Sequence, residues 1–410
     1  LARELSKNGR EVLLLERGKP AEKVGSARDT LRFYDLDRLT KLPAQSKEGV
    51  ILWRTFMAGG STMVSCANAT RCLETELGAL GISLEKEFAE AEREMAVSPI
   101  APGLLSEGSE ALMTAATKLG YQMELMPKMI DPERCSKCGQ CSSGCAYHAK
   151  WTALEYLEEA VQNGTRVRYD TRVERVLIDG GRAKGVWAAG GNGRANYRAE
   201  MVILAAGGLG TPVILQQSGV EGVGENLFAD LFVNTYGLTQ GLNLLHEPKM
   251  TLVNHEFRES EGFILSPFVL HPRISRFAEM GTKGASLPAA RMIGIMTKIV
   301  DEPVGRVARK GRITKPVTDR DGKRLQAGSS IAANILVKAG ADRQSILNTR
   351  PQGAHPGGTA AIGRVVDQNL QTGVENLFVC DASVLPTSPG LPPILTICAL
   401  AKRLGKQLVA

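Results

Sequence analysis

The first residues of the chain combine a helical apolar pattern with a short strand. Residues 1–7 carry apolar positions at helical spacing, and the pattern stops at Asn8-Gly9, a pair typical of helix C-termini. Residues 12–15 are continuously apolar, which predicts a buried parallel strand that ends at Glu16. A helix followed by such a strand is the second half of a βαβ unit.

The acidic residue at the tip of this strand points to dinucleotide binding. In βαβ nucleotide-binding folds, an acid at this place hydrogen-bonds the adenosine ribose and lies about 20 residues after a glycine-rich phosphate-binding turn. Counting back that far from Glu16 passes residue 1. We therefore expect the glycine turn and the first strand to lie upstream, so that the sequence is N-terminally truncated.

The middle of the chain continues this pattern and then changes. Before residue 220, the predicted elements are a helix over 149–163, extended chain over 167–178, a hairpin turn at 179–181 and a buried strand over 201–206. Thr211 and Pro212 suit the N-cap and first turn of the next helix. Residues 227–345 have mixed strand signals and no βαβ rhythm. They predict a second, antiparallel-rich unit.

The C-terminal segment returns to the first pattern, with a short strand over 377–380 and a closing helix from Pro393. We therefore predict an α/β fold. It consists of a discontinuous Rossmann-like nucleotide-binding domain and an antiparallel-sheet-rich α+β domain.

Composition excludes several classes of protein. The chain has 410 residues, of which 43% are hydrophobic and 23% charged, as in ordinary globular proteins. No apolar run reaches the roughly 18 residues needed to cross a bilayer. A net charge of +7 without a dense Lys/Arg stripe can steer an acidic partner but does not indicate nucleic acid. We expect a cytoplasmic protein, although the sequence lacks the initiator end where a signal peptide would be read.

Four of the eight cysteines crowd into eleven residues: Cys135, Cys138, Cys141 and Cys145. The spacing is that of the bacterial ferredoxin run, in which consecutive thiolates surround an iron-sulfur cluster. Structural zinc is the rival interpretation, although zinc more commonly uses two cysteine pairs farther apart. The remaining interpretation is a loop of four reduced thiols or of disulfides. We favour an iron-sulfur cluster.

Two further segments carry candidate chemistry. The loop at 57–62 contains two glycines that would let a ligand approach the backbone, followed by two hydroxyls that could bind a phosphate or a flavin edge. His355 is followed by small residues that leave room for a ligand, and a neutral imidazole can take a proton from an alcohol. The helix predicted from Pro393 would direct its N-terminal dipole at a negative charge.

Taken together, these segments resemble the glucose-methanol-choline (GMC) family of FAD-dependent oxidoreductases. The resemblance runs in order through LLLERG, the GGST loop, AAGGLGTP, VGENL, HPGGT and NLFVCDASVLP. It implies FAD as cofactor, hydride transfer from a hydroxyl-bearing carbon and His355 as the catalytic base. The cofactor-binding residues it implies are Glu16, Arg17, Gly59, Gly60, Ser61, Thr62, Val173, Ala206, Gly207, Asp381, Ala382 and Pro393.

The sequence departs from the family pattern at two places. Pro392 stands where the family usually carries a second His or Asn, and its side chain can neither donate a proton nor accept a hydrogen bond. The cysteine run resembles that of cluster-bearing sugar dehydrogenases of the family, which use a Cys-x5-Cys-x3-Cys spacing. Cys135, Cys141 and Cys145 reproduce that spacing, and Cys138 adds a ligand. A four-iron cluster is therefore expected rather than a three-iron one.

These observations predict a dehydrogenase that oxidises a small hydroxyl substrate and passes electrons through the cluster to an external acceptor, such as a ferredoxin-like protein, a cytochrome or a quinone. Two alternatives remain: a reductase working in the opposite direction, and a noncatalytic flavin and iron-sulfur electron-transfer subunit. The predicted domains are FAD-binding (1–75, 149–226 and 346–410), helical cap (76–134), cysteine loop (135–148) and substrate (227–345).

Overall fold

The computed structural model describes residues 1–20, 24–26, 32–36, 43–191, 193–270 and 273–409. Its helices are α1 (Ala2–Lys7), α2 (Glu74–Ala79), α3 (Glu85–Glu94), α4 (Glu107–Lys118), α5 (Ala153–Gln162), α6 (Gly207–Gln217), α7 (Arg273–Ser286), α8 (Asp319–Lys338) and α9 (Ile394–Val409). In this described part of the chain, no helix is long and apolar enough to span a membrane.

The strands are short at both ends of the chain and longer in the middle. They are β1 (Leu13–Leu15), β2 (Ile51–Leu52), β3 (Ser98–Pro99), β4 (Glu124–Leu125), β5 (Pro127–Lys128), β6 (Arg166–Arg168), β7 (Thr171–Asp179), β8 (Arg182–Gly190), β9 (Gly193–Arg198), β10 (Val202–Leu204), β11 (Leu231–Leu238), β12 (Leu252–Val253), β13 (Phe263–Pro267), β14 (Met292–Ile299), β15 (Arg306–Val307), β16 (Ile313–Thr314), β17 (Leu347–Asn348), β18 (Gln352–Gly353) and β19 (Leu377–Val379).

Two parallel strand pairs join segments that are far apart in sequence. Strand β1 pairs with β6, and β10 pairs with β19. The predicted strand after α1 is confirmed, and Asn8-Gly9 ends the helix with Gly9 at φ 78°. The strand is less buried than predicted, because Leu13 is 37% exposed and β6 is its one neighbour among the described strands.

The antiparallel unit is built on a six-stranded sheet. Its order is β13-β14-β11-β18-β2, and β17 also pairs with β11. Helix α8 packs across β11, β13 and β14. The helix approaches the sheet closely at Gly328, where a Cβ would fall inside contact distance of the Thr297 side chain. The predicted α/β fold with an antiparallel-rich part is thus observed, while the division into domains stays a prediction.

The start of α6 differs from the prediction. Thr211 was expected to cap this helix, but the helix begins at Gly207. The reason is tertiary: Asp381, 170 residues later in the chain than Thr211, accepts hydrogen bonds from the Gly207 N–H (2.9 Å) and from the Thr211 hydroxyl (2.5 Å). A carboxylate from another segment therefore caps the helix, and the N-cap position is Ala206, five residues before Thr211.

Pro212 is accommodated within this helix by the HPGGT segment. Proline has no N–H, so it leaves the carbonyl of Gly208 without its partner four residues on. The hydroxyl of Thr359 donates to that carbonyl at 2.8 Å. Gly208 also lies so close to Pro356 that a Cβ would overlap its carbonyl oxygen. The helix and the segment that carries His355 are thus in direct contact.

The close approach at Gly328 gives a stability prediction. Gly328→Ala should destabilise the protein by about 1–3 kcal/mol, because the added methyl must displace Thr297 from a packed interface. Gly322→Ala, in the same helix with nothing within 4 Å of its Cβ position, is the matched control. It should be neutral or stabilising by up to about 1 kcal/mol. Urea unfolding curves measure both, and equal effects would contradict the packing argument.

Candidate active site

The HPGGT segment places His355 beside two charged residues that sequence analysis did not single out. His355 Nδ1 lies 2.9 Å from Asp230 Oδ2 and 2.9 Å from Lys298 Nζ. The lysine ammonium is 3.7 Å from the same carboxylate oxygen. Among the described residues, none lies within hydrogen-bond distance of Nε2 of His355. The ring is therefore held through one nitrogen, and the other remains available to a substrate.

Asp230 is fixed by its backbone as well as by its partners. It has a φ of 50°, in the left-handed region that non-glycine residues adopt infrequently. The adjoining amides of Ala229 and Leu231 both donate to the carboxylate of Asp301, at 3.0 and 3.3 Å. The N–H of His355 donates to the carbonyl of Ala229 at 3.1 Å. One buried carboxylate thus holds the turn on which the histidine depends.

Asp301 is itself balanced by a buried cation. Lys315 Nζ lies 2.9 Å from Asp301 Oδ2, and both side chains are completely buried. Burial raises the pKa of Asp301, and Lys315 acts against that rise. The Ser388 hydroxyl lies 2.7 Å from Asp230 Oδ1 and 2.8 Å from Asp301 Oδ1, so it links the two carboxylates.

The residues assigned to the flavin side by resemblance are brought together by these contacts. The N–H of Gly358 donates to the carbonyl of Ala382 at 3.1 Å, and Asp381 caps the helix that begins at Gly207. Ala206 is the N-cap position of that helix, and Pro393 immediately precedes α9. The buried hydroxyl of Ser383 has no hydrogen-bond partner among the described atoms, as expected where a bound molecule supplies one.

The GGST loop is only partly as predicted. Gly59 and Gly60 have φ of 80° and 57°, and no atom lies within 4 Å of a Cβ built on Gly60. Ser61 is exposed. The hydroxyl of Thr62, however, donates to Gly59 O at 2.5 Å and accepts the N–H of Ala153 at 3.0 Å. That hydroxyl is thus bonded within the chain, and among the described residues Ser61 and Gly60 remain open to a ligand, whereas Gly59 packs against Met63 and Leu154.

The residues assigned to the adenosine side also lie near one another. Glu16 follows β1, and its backbone carbonyl accepts the N–H of Thr171, at the start of the strand that carries Val173. Its carboxylate accepts the N–H of Gly18 at 2.5 Å, and burial raises its pKa. The guanidinium of Arg17 stacks 3.8 Å from the ring centre of Phe56. These positions suit a ribose and an adenine, and the residues therefore fit FAD.

All four cysteines of the predicted cluster line one small cavity, together with Gly139, Gly144 and Lys150. The sulfur of Cys145 accepts the N–H of Ala149 at 3.3 Å. The pKa of Cys135 is raised, mainly by burial of its thiol. Within the described ranges, no group of three or more Cys, His, Asp or Glu side chains is arranged so that it could hold a metal ion.

The cysteine loop packs directly on the GGST loop through a buried lysine. Lys150 Nζ donates to the carbonyls of Met63 (2.8 Å), Ser65 (2.7 Å) and Cys141 (2.9 Å). Lys128 Nζ donates to the carbonyls of Cys66 (2.9 Å) and Lys249 (2.6 Å). Lys150 therefore ties the cysteine loop to the chain that follows the GGST loop, and Lys128 ties that chain to the segment at Lys249.

Comparison with solved structures shows the class of fold. The structure matches pyridoxine 4-oxidase from Mesorbium loti with a TM-score of 0.73 at 17% identity, covering 99% of this chain and 96% of that one. It matches a formate oxidase from Aspergillus oryzae with a TM-score of 0.76 at 14% identity, covering 99% and 95%. At these identities the likeness shows the fold.

Sequence comparison shows the family. Models of the GMC oxidoreductase family match residues 46–232 and 311–401. An uncharacterized protein of Methanocaldococcus jannaschii is 31% identical over 90% of this chain and 91% of its own length. An uncharacterized GMC-type oxidoreductase of Mycobacterium tuberculosis is 28% identical over 100% of this chain and 74% of its own length. The chain belongs to the GMC oxidoreductase family, and FAD is the cofactor that the family uses.

The buried charge pair beneath the site gives a second stability prediction. Lys315→Met should cost about 3–5 kcal/mol, because it leaves the carboxylate of Asp301 buried without its cation. Arg306→Met is the control, since it removes an exposed ion pair with Glu225 whose side chains are 60% and 56% exposed. That change should cost at most about 1 kcal/mol. Chemical unfolding compares the two, and a small loss for Lys315→Met would contradict this role.

Proposed function

We propose that this protein is an FAD-dependent dehydrogenase that oxidises the hydroxyl group of an alcohol, polyol or sugar. The observation that carries the proposal is the geometry of His355, whose Nδ1 is held inside the protein while Nε2 has no protein partner among the described residues. When bound, FAD supplies a hydride acceptor. His355 Nε2 takes the hydroxyl proton, and a carbonyl compound is the product.

The cofactor would be held by residues from several segments. Glu16, Arg17 and Val173 suit the adenosine half. The GGST glycines, Ser61, the first turn of α6 and the Asp381-Ala382 pair suit the flavin half. The backbone N–H groups at the start of α9, after Pro393, would face negative charge. The unpartnered hydroxyl of Ser383 supports a bound molecule at this place.

We further propose that electrons leave through a four-iron cluster bound by Cys135, Cys138, Cys141 and Cys145. A single zinc ion would draw its sulfurs to about 2.3 Å from one point, whereas a cluster binds each thiolate at a separate iron. The observation that supports the second arrangement is that all four thiols line one cavity. Backbone N–H groups directed at the sulfurs, as at Cys145, are common at clusters.

Buried positive charge beside the cysteines supports an anionic centre there. Lys128, Lys150 and Lys249 are at most 5% exposed, and none has a carboxylate within 4.0 Å among the described residues. Burial lowers the pKa of Lys128 and Lys249 to about 8, and the thiols of Cys66 and Cys141 act against that. These ammonium groups are hydrogen-bonded to backbone carbonyls but face no opposite charge among the described residues, and a thiolate-bound cluster would balance their charge.

Oxygen is the second candidate for the electron acceptor, because relatives with a named activity are oxidases. A long-chain-alcohol oxidase of Arabidopsis thaliana is 24% identical over 73% of this chain and 50% of its own length. A cluster would serve no purpose if reduced flavin reacted directly with oxygen. The four-cysteine cavity therefore favours a ferredoxin-like protein, a cytochrome or a quinone. If the cluster has a very low reduction potential, the opposite direction of electron flow is favoured instead.

The role of His355 is tested with His355→Asn. Flavin reduction should slow by about 10²–10⁴-fold while bound FAD is unchanged, because the base is lost without loss of a cofactor contact. Anaerobic stopped-flow mixing with 1-octanol, glycerol and glucose in separate experiments measures the rate. His246→Asn, in a separate loop, is the control. Equal rates in wild type and His355→Asn would contradict the assignment.

The electron exit is tested with Cys141→Ser. The variant should lose iron and its broad visible absorption, keep the rate of flavin reduction by the same alcohols, and be reoxidised slowly by cytochrome c. Cys398→Ser, outside the cysteine loop, should behave as wild type. A folded, iron-free Cys141→Ser protein that is reoxidised at the wild-type rate would refute the relay. Fast reoxidation of both proteins by oxygen alone would favour the oxidase.

A further inference from the structure

His355 Nδ1 has two partners that require opposite states of the nitrogen. To bond Asp230 it must carry the proton and donate it, whereas to bond the Lys298 ammonium it must be unprotonated and accept. Both partners are 2.9 Å away. A neutral imidazole carries one proton, so the choice at Nδ1 decides whether Nε2 has a free lone pair or an N–H.

The surroundings of Asp230 favour donation by the histidine. Its Oδ1 faces the Ser388 hydroxyl at 2.7 Å and the N–H of Gly390 at 3.0 Å. In the part of the chain that the structure describes, its Oδ2 faces only His355, at 2.9 Å, and the more distant Lys298, 3.7 Å away. Asp230 is fully buried, so an unbonded carboxylate oxygen would be costly. A proton on Nδ1 completes the hydrogen bonding of this carboxylate.

We propose that Asp230 and Lys298 are positioning residues for His355: Asp230 fixes the imidazole proton on Nδ1, and Lys298 offsets the carboxylate charge so that the ring stays neutral and Nε2 can accept a proton. The proposal rests on the proposed function of His355. It also supplies two polar groups at a site where Pro392 replaces the side chain usual in the family.

The electrostatics are consistent with opposite actions of the two residues. Burial and the Lys298 ammonium lower the pKa of His355, whereas Asp230 raises it. With Asp230 alone, the ring would bind a proton more readily and lose its capacity as a base near neutral pH. With Lys298 alone, Nδ1 would accept from the ammonium, and Nε2 would carry the proton. Both residues are therefore needed for a neutral ring with a free Nε2.

The proton balance of the reaction follows from this arrangement. The hydroxyl O–H bond breaks, its proton joins Nε2, and the hydride from the adjacent C–H bond goes to FAD, so that a carbonyl remains. The ring then carries a positive charge, which Asp230 stabilises through Nδ1–H. Other charged or titratable groups around this network are Asp301 and Lys315 on the Ser388 side and, toward Lys298, Cys66 and Cys72.

The test reads the tautomer without any substrate. The protein is labelled with [15N]histidine, and the ring nitrogens are followed by NMR as a function of pH. The chain has five histidines, so comparison with His355→Asn identifies the His355 signals. We expect the Nδ1–H tautomer in the wild type. An Nε2–H tautomer would overturn the proposal, and this measurement needs no variant of the charged residues.

The variants should then shift the titration in opposite directions. Lys298→Met should keep the Nδ1–H tautomer and raise the pKa of His355. The loss of activity on acidification should therefore begin at a higher pH than in the wild type. Asp230→Asn should lower that pKa and populate the Nε2–H tautomer. Lys338→Met, an exposed lysine on α8, should change neither. Shifts in the same direction for both variants would also overturn the proposal.

Kinetics provide the second readout. Asp230→Asn should slow anaerobic flavin reduction by about 10²–10⁴-fold, comparable to the loss of the matching carboxylate in a Ser-His-Asp triad. If none of the tested alcohols reduces the wild-type flavin, the proposed function fails while the tautomer result stands. If the wild type oxidises an alcohol but the tautomer is Nε2–H, the positioning role fails together with proton acceptance by Nε2, whereas the proposed alcohol oxidation stands.

Discussion

The candidate active site depends on one buried carboxylate. Asp301 accepts the amides on both sides of Asp230 and is neutralised by Lys315, entirely out of contact with solvent. A left-handed residue such as Asp230 persists only where its surroundings hold it. The backbone of His355 is bonded to the same turn, so the hydrogen bonds from the turn to Asp301 also fix the position of the imidazole. Forming a buried ion pair adds little net stability, because desolvation offsets the attraction, and the main effect of this pair is to hold the turn in place.

The same constraint connects elements that are remote in sequence. The turn at 229–231 begins β11, Asp301 follows β14, and His355 follows β18. Ser388 and Gly390 come from the loop before α9 and complete the bonding of Asp230. The histidine is thus oriented by the antiparallel sheet on one side and by the C-terminal loop on the other. A base held by several segments keeps its direction when substrate displaces water.

The cysteine loop is attached to the chain after the GGST loop in a comparable manner, but by lysine ammonium groups and not by a carboxylate. Lys150 bonds the carbonyl of Cys141 and those of Met63 and Ser65, just after the GGST loop, and Lys128 bonds the carbonyl of the next residue, Cys66. Rigid attachment of this kind would keep two redox groups at a constant separation, which an electron relay needs. The arrangement also concentrates buried positive charge where the proposed cluster would be negative.

Local signals in the sequence determined much of the fold and many candidate residues. Asn8-Gly9 ended α1 as predicted, because glycine tolerates the left-handed conformation of a helix C-terminus. The glycine pair at 180–181 formed the predicted hairpin for the same reason. The cysteine spacing and the HPGGT segment were recognisable because their chemistry is encoded by neighbouring residues. The family comparison confirmed the predicted fold class and FAD.

Tertiary structure decided what depends on contacts between distant residues. Through its contact with Gly207, Asp381 sets the N-cap of α6 at Ala206 and not at Thr211, and the hydroxyl of Thr62 bonds the start of α5. Asp230, Lys298 and Asp301 carry no local signal, since a lone acid or lysine in a strand region resembles any other until the chain folds. The role of these three side chains depends on their burial. Burial removes water as a hydrogen-bond partner, so each charge depends on the few groups within hydrogen-bond distance.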